Sequence, residues 1–129
     1  MILGDQWTLL VLQRAFLGVR RFADWQQDLG VSSSVLANRL REMTANGLFE
    51  LRPYRDGRVR YEYRLTDRAL DLWRIYLAMW SWERAWVPRP EPLPDLVHLA
   101  CGRSADVRLV CRACLATRRW FPAAASEAT

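Results

Sequence analysis

The feature that most constrains this chain is a change of hydrophobic period at residue 58. From Arg58 to Leu65 the odd positions are apolar or aromatic and the even positions are charged. This is the pattern of a β-strand with one exposed face. The preceding segment Leu48–Tyr54 is apolar enough to pair with it, and Arg55-Asp56-Gly57 supplies the turn. Pro53 restricts that first strand to a sheet edge or makes it irregular. A β-hairpin is therefore predicted in the middle of the chain.

Helical patterns lie on both sides of this hairpin. Glycines and capping residues divide the first part of the chain into three predicted helices: Leu3–Leu17, Phe22–Leu29 and Ser32–Asn46. After the hairpin, Thr66 caps a long predicted helix from Asp67 to about Trp86. The order helix–helix–helix–hairpin–helix is that of a winged helix-turn-helix domain. The predicted class is therefore α+β, mainly α.

The third predicted helix has the surface needed to read DNA. Its buried stripe is formed by Leu36, Leu40 and Met43. Small, polar or basic residues lie on the exposed side: Ser33, Ser34, Ala37, Asn38, Arg41 and Ala45. An Asn side chain pairs with adenine and an Arg side chain with guanine, while serine hydroxyls and free amides of a first helical turn suit a phosphate. The alternative is that this is simply a solvated helix face.

The positive charge of the chain is concentrated on the hairpin. The formal net charge is +5, and all 19 basic residues are arginines. Five of them lie within residues 48–65, against three acidic residues. We expect Arg55 and Arg58 at the turn, and Arg60 beside them, to place guanidinium groups next to phosphates or in the minor groove. The alternative is a solvated sheet face neutralised by the acidic residues of the hairpin: Glu50, Asp56 and Glu62.

Residues 3–87 resemble the HxlR-type winged-helix regulators, a branch near the MarR-type repressors. The resemblance is carried, in order and spacing, by five blocks: Leu3–Leu10, Arg20–Gln26, Ser32–Met43, Asn46–Leu48 and Val59–Thr66. It implies a homodimeric bacterial transcription regulator whose third helix reads the major groove and whose wing flanks it. Carried over by position, the candidate DNA contacts are Arg21, Ser33, Ser34, Asn38, Arg39, Arg41, Arg55 and Arg58. The position of Ser34 is often basic in the family, so a base preference is not carried over.

The helix after Thr66 is apolar over an unusually wide surface. Its polar stripe is narrow, and no charged residue stands between Arg74 and Glu83. We expect a dimer interface, because the core of one protomer cannot cover so much apolar surface. A second hypothesis is an effector pocket for a small aromatic ligand. The residues that would line it are Trp73, Tyr76, Trp80 and Trp82, which core or interface packing explains equally.

The remainder of the chain differs in composition. Residues 88–95 are predicted to be a proline-rich linker, residues 96–120 a zinc-ribbon-like appendix, and residues 121–129 a disordered tail. The appendix holds the pattern H-x2-C-x9-C-x2-C, and its predicted ligands for a structural Zn²⁺ ion are His98, Cys101, Cys111 and Cys114. The alternatives are a labile dithiol of Cys111 and Cys114, or buried cysteines with an incidental histidine. Four protein ligands leave no open position for catalysis.

Several functional classes find no support in the sequence. No apolar run is long enough for a membrane span, and the N-terminal segment does not resemble a signal peptide, so we expect a cytoplasmic protein. Neither a phosphate-binding loop nor a Ser/His/Asp set is present, and we expect no enzyme. The leading prediction is a sequence-specific regulator, a repressor that binds double-stranded DNA as a homodimer on a near-palindromic operator. The alternative is a small-molecule-binding or protein-interaction module on a winged-helix scaffold without DNA binding.

Overall fold

The fold is described from a computed structural model, which describes residues 2–105 and 107–117. Its elements are, in order, α1 (Gln6–Phe16), α2 (Phe22–Leu29), α3 (Ser33–Ala45), β1 (Phe49–Asp56), β2 (Arg58–Leu65), α4 (Asp67–Leu70) and α5 (Trp73–Trp86). The predicted α+β, mainly helical class with a two-stranded wing is confirmed. The predicted disordered tail, residues 121–129, and positions 106 and 118–120 of the predicted appendix lie outside the described residues.

Capping interactions set the bounds of the first three helices. The Asp5 carboxylate accepts the Trp7 and Thr8 amides at 2.9 and 3.2 Å, so α1 begins directly after it. Helix α2 ends at Gly30, whose φ of 61° lies in the left-handed region that favours glycine. The Ser32 hydroxyl caps α3 by accepting the amide of Val35 at 3.4 Å. Three local signals thus fix the helix-turn-helix.

The wing is a single antiparallel hairpin. Its register runs from Phe49 opposite Leu65 at the base to Asp56 opposite Arg58 at the tip. In a two-stranded ribbon both strands are edges, so Pro53 is tolerated in β1. At the base, the Phe49 ring packs edge to face on Trp25, with centroids 5.6 Å apart. The base of the wing therefore belongs to the domain core.

The core lies between the three N-terminal helices and the base of the wing. Trp25 is completely buried, and its indole nitrogen donates to the Val11 carbonyl at 3.1 Å. The predicted buried stripe of α3 is confirmed, because Leu36, Leu40 and Met43 are all at most 1% exposed. This stripe fixes α3 so that its other face is presented outward.

The prediction of one continuous helix from Asp67 to Trp86 is wrong. The chain forms α4, a turn at Asp71 and Leu72, and then α5. At the turn the Leu72 amide bonds to the Ala69 carbonyl, one residue closer than in an α-helix. The Arg74 guanidinium donates to the Asp71 carbonyl at 3.1 Å and also pairs with the Asp71 carboxylate. A side chain therefore takes the carbonyl that a continuous helix would use.

The chain divides into two compact units, Met1–Tyr76 and Leu77–Thr129. In the second unit, the predicted linker 88–95 contains neither helix nor strand. Ion pairs hold its two ends: Arg89 with Glu83 at 2.7 Å, and Asp95 with Arg84 at 2.6 Å. Across the part of the chain that the structure describes, no helix is long and apolar enough to cross a membrane.

Candidate nucleic-acid interface

Helix α3 presents the predicted polar face. Ser33, Ser34, Asn38 and Arg41 are all exposed. The Gln26 amide of α2 donates to the Ser33 hydroxyl at 2.6 Å, which links the two helices of the motif at the start of α3. One turn further, the Arg41 guanidinium donates to the Asn38 side-chain oxygen at 2.9 Å. Asn38 and Arg41 thus lie side by side, with donors suited to base edges.

Arg39 has a different contact from the one predicted. Its guanidinium binds both carboxylate oxygens of Asp5, at 3.0 and 3.2 Å, and lies near Glu42 at 3.4 Å. Burial raises the pKa of Asp5, but the Thr8 amide and Arg39 outweigh it, so this pKa lies below its ordinary value. The pair ties α3 to the start of α1, and the DNA contact of Arg39 stays a prediction.

The arginines of the wing fall into two groups. At the base, Arg52 pairs with Glu50 at 2.9 Å and Arg64 pairs with Glu62 at 2.6 Å. Each pair joins residues two apart in one strand, which share a face of the sheet. Toward the tip, three further arginines are exposed and form no ion pair within residues 2–105 and 107–117: Arg55, Arg58 and Arg60. The acidic side chains at the base are therefore occupied, and the tip keeps its positive charge.

Arg21 is held beside this charged face. Its guanidinium lies over the ring of Tyr54, 4.1 Å from the centroid, in a cation–π contact. The neighbouring Arg20 carbonyl accepts the Tyr63 amide at 2.7 Å and attaches the wing to the start of α2. The sequence reasoning missed Tyr54, although its even position places it on the same face as Arg58 and Arg60.

A cleft of about 440 Å³ lies between α3 and the wing. Its lining is largely apolar and comes from α2, α3 and both strands: Phe22, Ala37, Arg41, Thr44, Ala45, Leu51 and Tyr63. Arg41, a predicted DNA contact, therefore stands at this cleft. The sequence pattern did not indicate it, because it requires the wing to fold toward the exposed face of α3.

The four residues of the predicted effector pocket have different surroundings. The Trp73 and Tyr76 rings pack on Phe16, with centroids at 5.0 and 5.2 Å. The Tyr76 hydroxyl donates to the Leu9 carbonyl at 2.6 Å, and burial raises the pKa of Tyr76. Trp80 is half-buried, whereas Trp82 is 60% exposed. Trp73 and Tyr76 are thus part of the packing of the first unit, and the pocket stays a prediction.

The predicted metal ligands lie in pairs. The His98 Nδ1 atom is 3.4 Å from the Cys101 Sγ atom. The amides of Cys114 and Ala113 and the Cys114 thiol bond to the Cys111 sulfur and lower the pKa of Cys111. Among the described residues, no three His, Cys, Asp or Glu side chains lie close enough together to hold one ion. The structure therefore forms the two pairs but does not join them.

Comparison with known proteins identifies the family. The model of HxlR-like helix-turn-helix proteins matches residues 2–91, which is well over half of the chain. The chain belongs to the HxlR-like helix-turn-helix family. An HTH-type transcriptional regulator of Mycobacterium tuberculosis is 42% identical over 114 residues, which cover 88% of this HxlR-like chain and 72% of the relative. Another, from Synechocystis, is 31% identical over 67% of this chain and 64% of its own length.

Solved structures agree with this assignment. PA1607, described as a transcription factor, matches with a TM-score of 0.73 and 30% identity, covering 87% of this chain and 80% of its own. A MarR-family transcriptional regulator from Enterococcus faecalis V583 matches with a TM-score of 0.58 and 27% identity, covering 66% of this chain and 78% of its own. The HxlR-like chain is therefore a DNA-binding transcriptional regulator of the helix-turn-helix class.

Proposed function

We propose that this HxlR-like regulator is a cytoplasmic repressor that binds a near-palindromic DNA operator as a homodimer. In this proposal α3 enters the major groove and the tip of the wing lies along the flanking backbone. The observation that carries it is the division of the wing arginines. Arg52 and Arg64 are neutralised by glutamates, whereas Arg55, Arg58 and Arg60 are exposed without an ion pair in the described part of the chain.

The wing tip suits the DNA backbone for an electrostatic reason. Three exposed guanidinium groups stand near one turn with a single carboxylate, that of Asp56, so the tip has a net positive charge. Phosphates neutralise this charge and release condensed counterions. A module that binds only a neutral molecule or a protein without an acidic surface gains nothing from it. The exposed cations therefore favour DNA over the alternative of a winged-helix module without DNA binding.

Helix α3 supports sequence reading in the same binding mode. Asn38 and Arg41 are bonded to each other in the free protein, and each would exchange that bond for a base edge in the complex. Ser33 and Ser34 stand in the first turn, where hydroxyls and unpaired amides suit a phosphate. Base contacts and phosphate contacts thus come from different parts of the same helix.

The test compares the two arginine groups of the wing. We expect Arg55→Ala/Arg58→Ala/Arg60→Ala to weaken binding to random double-stranded DNA roughly tenfold or more at about 0.1 M salt. The slope of log affinity against log salt should fall by about 0.9 for each phosphate that the protein no longer neutralises. Fluorescence anisotropy across a salt series measures both quantities.

The control is Arg52→Ala/Arg64→Ala, which removes two charges from the same hairpin, and the changes are compared per arginine removed. Because those arginines are already paired with Glu50 and Glu62, we expect a smaller change in the salt slope. Equal effects of the two variants would contradict the assigned role of the tip. Failure of the wild-type protein to bind any DNA at low salt would overturn the proposal and leave the module without DNA binding.

A second comparison separates the recognition of bases from contacts to the DNA backbone. We expect Arg58→Ala to weaken binding to all sequences, whereas Asn38→Ala mainly reduces the preference for the operator, by about 1–3 kcal/mol. Operator fragments recovered by selection from genomic DNA, compared with random DNA, provide the measurement. If both variants lose the same factor on both kinds of DNA, this division of roles is wrong.

The homodimer and effector are further parts of the proposal, supported by α5. Met79, Trp82 and Trp86 are exposed at spacings of three and four, so they form one apolar stripe. A second copy of the chain would cover it. An aromatic effector would contact Trp80, because Trp73 and Tyr76 are engaged with α1 and Trp82 lies on the other side of α5, in the exposed stripe. The buried Trp80 indole nitrogen has no hydrogen-bond partner in the described part of the chain, and a ligand carbonyl would satisfy it.

A further inference from the structure

Two short turns in the second unit share one backbone geometry. In the first turn, residues 98–103, the His98 amide donates to the Arg103 carbonyl at 2.9 Å and the Gly102 amide to the His98 carbonyl at 2.8 Å. In the second turn, residues 111–116, the Cys111 amide donates to the Ala116 carbonyl at 2.9 Å and the Leu115 amide to the Cys111 carbonyl at 2.7 Å. The second turn repeats the first at the same relative positions.

The repetition extends to the least favourable backbone conformation. Gly102 has a φ of 69°, and Leu115, at the equivalent position, has a φ of 60°. Leu115 is the one non-glycine residue with positive φ in residues 2–105 and 107–117. A leucine is disfavoured there, because its Cβ crowds the backbone. The second turn therefore keeps the shape of the first at a conformational cost.

Each turn carries its candidate ligands at its first and fourth positions. In the first turn, the His98 Nδ1 and Cys101 Sγ atoms are 3.4 Å apart. Two ligands of a tetrahedral zinc ion are separated by roughly 3.5 Å when Zn–N is near 2.0 Å and Zn–S near 2.3 Å. The first turn thus already has the spacing of one edge of a zinc tetrahedron.

In the second turn, the equivalent first position is Cys111. Cys114 stands three residues later, at the fourth position, as Cys101 does in the first turn. The two turns therefore present their candidate ligands from equivalent backbone positions.

The first turn is also anchored from outside. Val97 and Ser104 form a β-bridge at its base, and the Ser104 hydroxyl donates to the Asp95 carboxylate at 2.5 Å. Arg84 binds that carboxylate at 2.6 Å. Only residues 104–110 separate the second turn from the first in the chain. One half-site is therefore fixed, and the other is tethered to it.

We propose that the two turns close around one structural zinc ion, bound by His98, Cys101, Cys111 and Cys114. The metal supplies the contact that joins the two pairs, and its binding fixes the second turn against the first. A Cys111–Cys114 dithiol explains the second turn alone. It leaves unexplained why a histidine and a third cysteine occupy a turn of the same geometry. Zinc accounts for both turns, and this inference does not depend on the proposed DNA site.

The test is metal analysis of the full chain, purified without a histidine tag and without chelator. The chain has three cysteines and one histidine in all, so every sulfur and imidazole ligand lies in the two turns. We expect about one zinc per chain by inductively coupled plasma mass spectrometry. Cobalt added to zinc-depleted protein should give the visible ligand-field bands of a tetrahedral thiolate site.

The variants remove one ligand from each turn. Cys101→Ser and Cys114→Ser should each retain less than about a tenth of an equivalent. Leu115→Gly, which keeps all four ligands and relieves the strained backbone, should retain zinc fully. Circular dichroism checks that the helices remain folded in every variant, so a loss of zinc is not confused with unfolding.

Three results would overturn the proposal. The first is less than about a tenth of an equivalent of zinc in the wild-type protein, with or without a Cys111–Cys114 disulfide by intact mass. The second is full zinc retention in either cysteine variant. The third is a cobalt spectrum without tetrahedral thiolate bands. None of these measurements involves DNA, so their failure is distinguishable from failure of the proposed DNA-binding function.

Discussion

Helices α3 and α5 are nearly equal in length, at 13 and 14 residues, but they are completed in different ways. Helix α3 buries Leu36, Leu40 and Met43 within its own domain, whereas α5 has no fully buried residue. The apolar stripe of α3 is thus buried in the core, and its polar face is exposed to an anionic partner. Three large apolar residues of α5 remain exposed, Met79, Trp82 and Trp86, which leaves them for a second protein surface.

The largest effect expected from this comparison is on the stability of the fold. Leu40→Ala should lower the free energy of unfolding by about 2–5 kcal/mol, because it opens a cavity in a fully packed stripe. The adjacent exposed residue provides the control. Arg41→Ala should change the free energy of unfolding by no more than about 0.5 kcal/mol. Urea unfolding followed by circular dichroism measures both. Similar losses for the two variants would show that α3 is not divided into a core face and a free face.

The next effect concerns the open face of α5. Trp82 is 60% exposed and central to the stripe of Met79, Trp82 and Trp86. Trp82→Arg should raise the dimer dissociation constant about 30-fold, the effect of losing about 2 kcal/mol at an interface centre. Trp82→Phe keeps an aromatic ring and should largely preserve the dimer. Sedimentation equilibrium provides the measurement.

Two results would break this half of the comparison. A wild-type protein that stays monomeric at all concentrations would show that α5 is not completed by a second copy. An unchanged dissociation constant for Trp82→Arg would place the dimer contact elsewhere on the chain. In either case α5 would need a different partner for its exposed stripe.

Local signals in the sequence predicted most of the fold. The bounds of α2 agree because Gly30 ends it and the apolar spacing defines it, and the alternation in β2 predicted both the strand and its charged face. The pairs Glu50–Arg52 and Glu62–Arg64 could also have been predicted, because residues two apart in a strand share a face. The break between α4 and α5 was missed because Arg74 competes with the helix for the Asp71 carbonyl, which a hydrophobic pattern does not show.

Interactions between distant residues account for the parts of the site that were missed. The Arg39–Asp5 pair was not predicted, because its two residues are 34 positions apart in the chain. Tyr54 and Arg21 meet only after the wing packs beside α2. For the cysteine turns, spacing predicted two pairs, and only the structure shows that both have the same hydrogen bonds. Periodicity therefore predicts the strand and the face that carries its charges, while tertiary interactions decide which side chains are exposed. Val59 and Tyr61, on the apolar face of β2, are more than half exposed.

The smallest expected effect concerns the ion pair between Arg39 of α3 and Asp5 at the start of α1. The pKa of Asp5 is lowered from 3.8 in the folded state, so folding favours the ionised carboxylate over the protonated acid. Its contribution to stability is therefore present above pH 3.8, and it is lost as the pH falls through the lower folded value. Asp5→Asn keeps an N-cap for α1 and removes only the charge. The stability difference between wild type and Asp5→Asn should thus be constant near neutral pH and shrink toward about pH 3, measured by urea unfolding.

Arg39→Gln should reduce the same pH dependence, because it removes the partner of Asp5. A difference that grows on acidification would mean that the fold does not stabilise the Asp5 carboxylate.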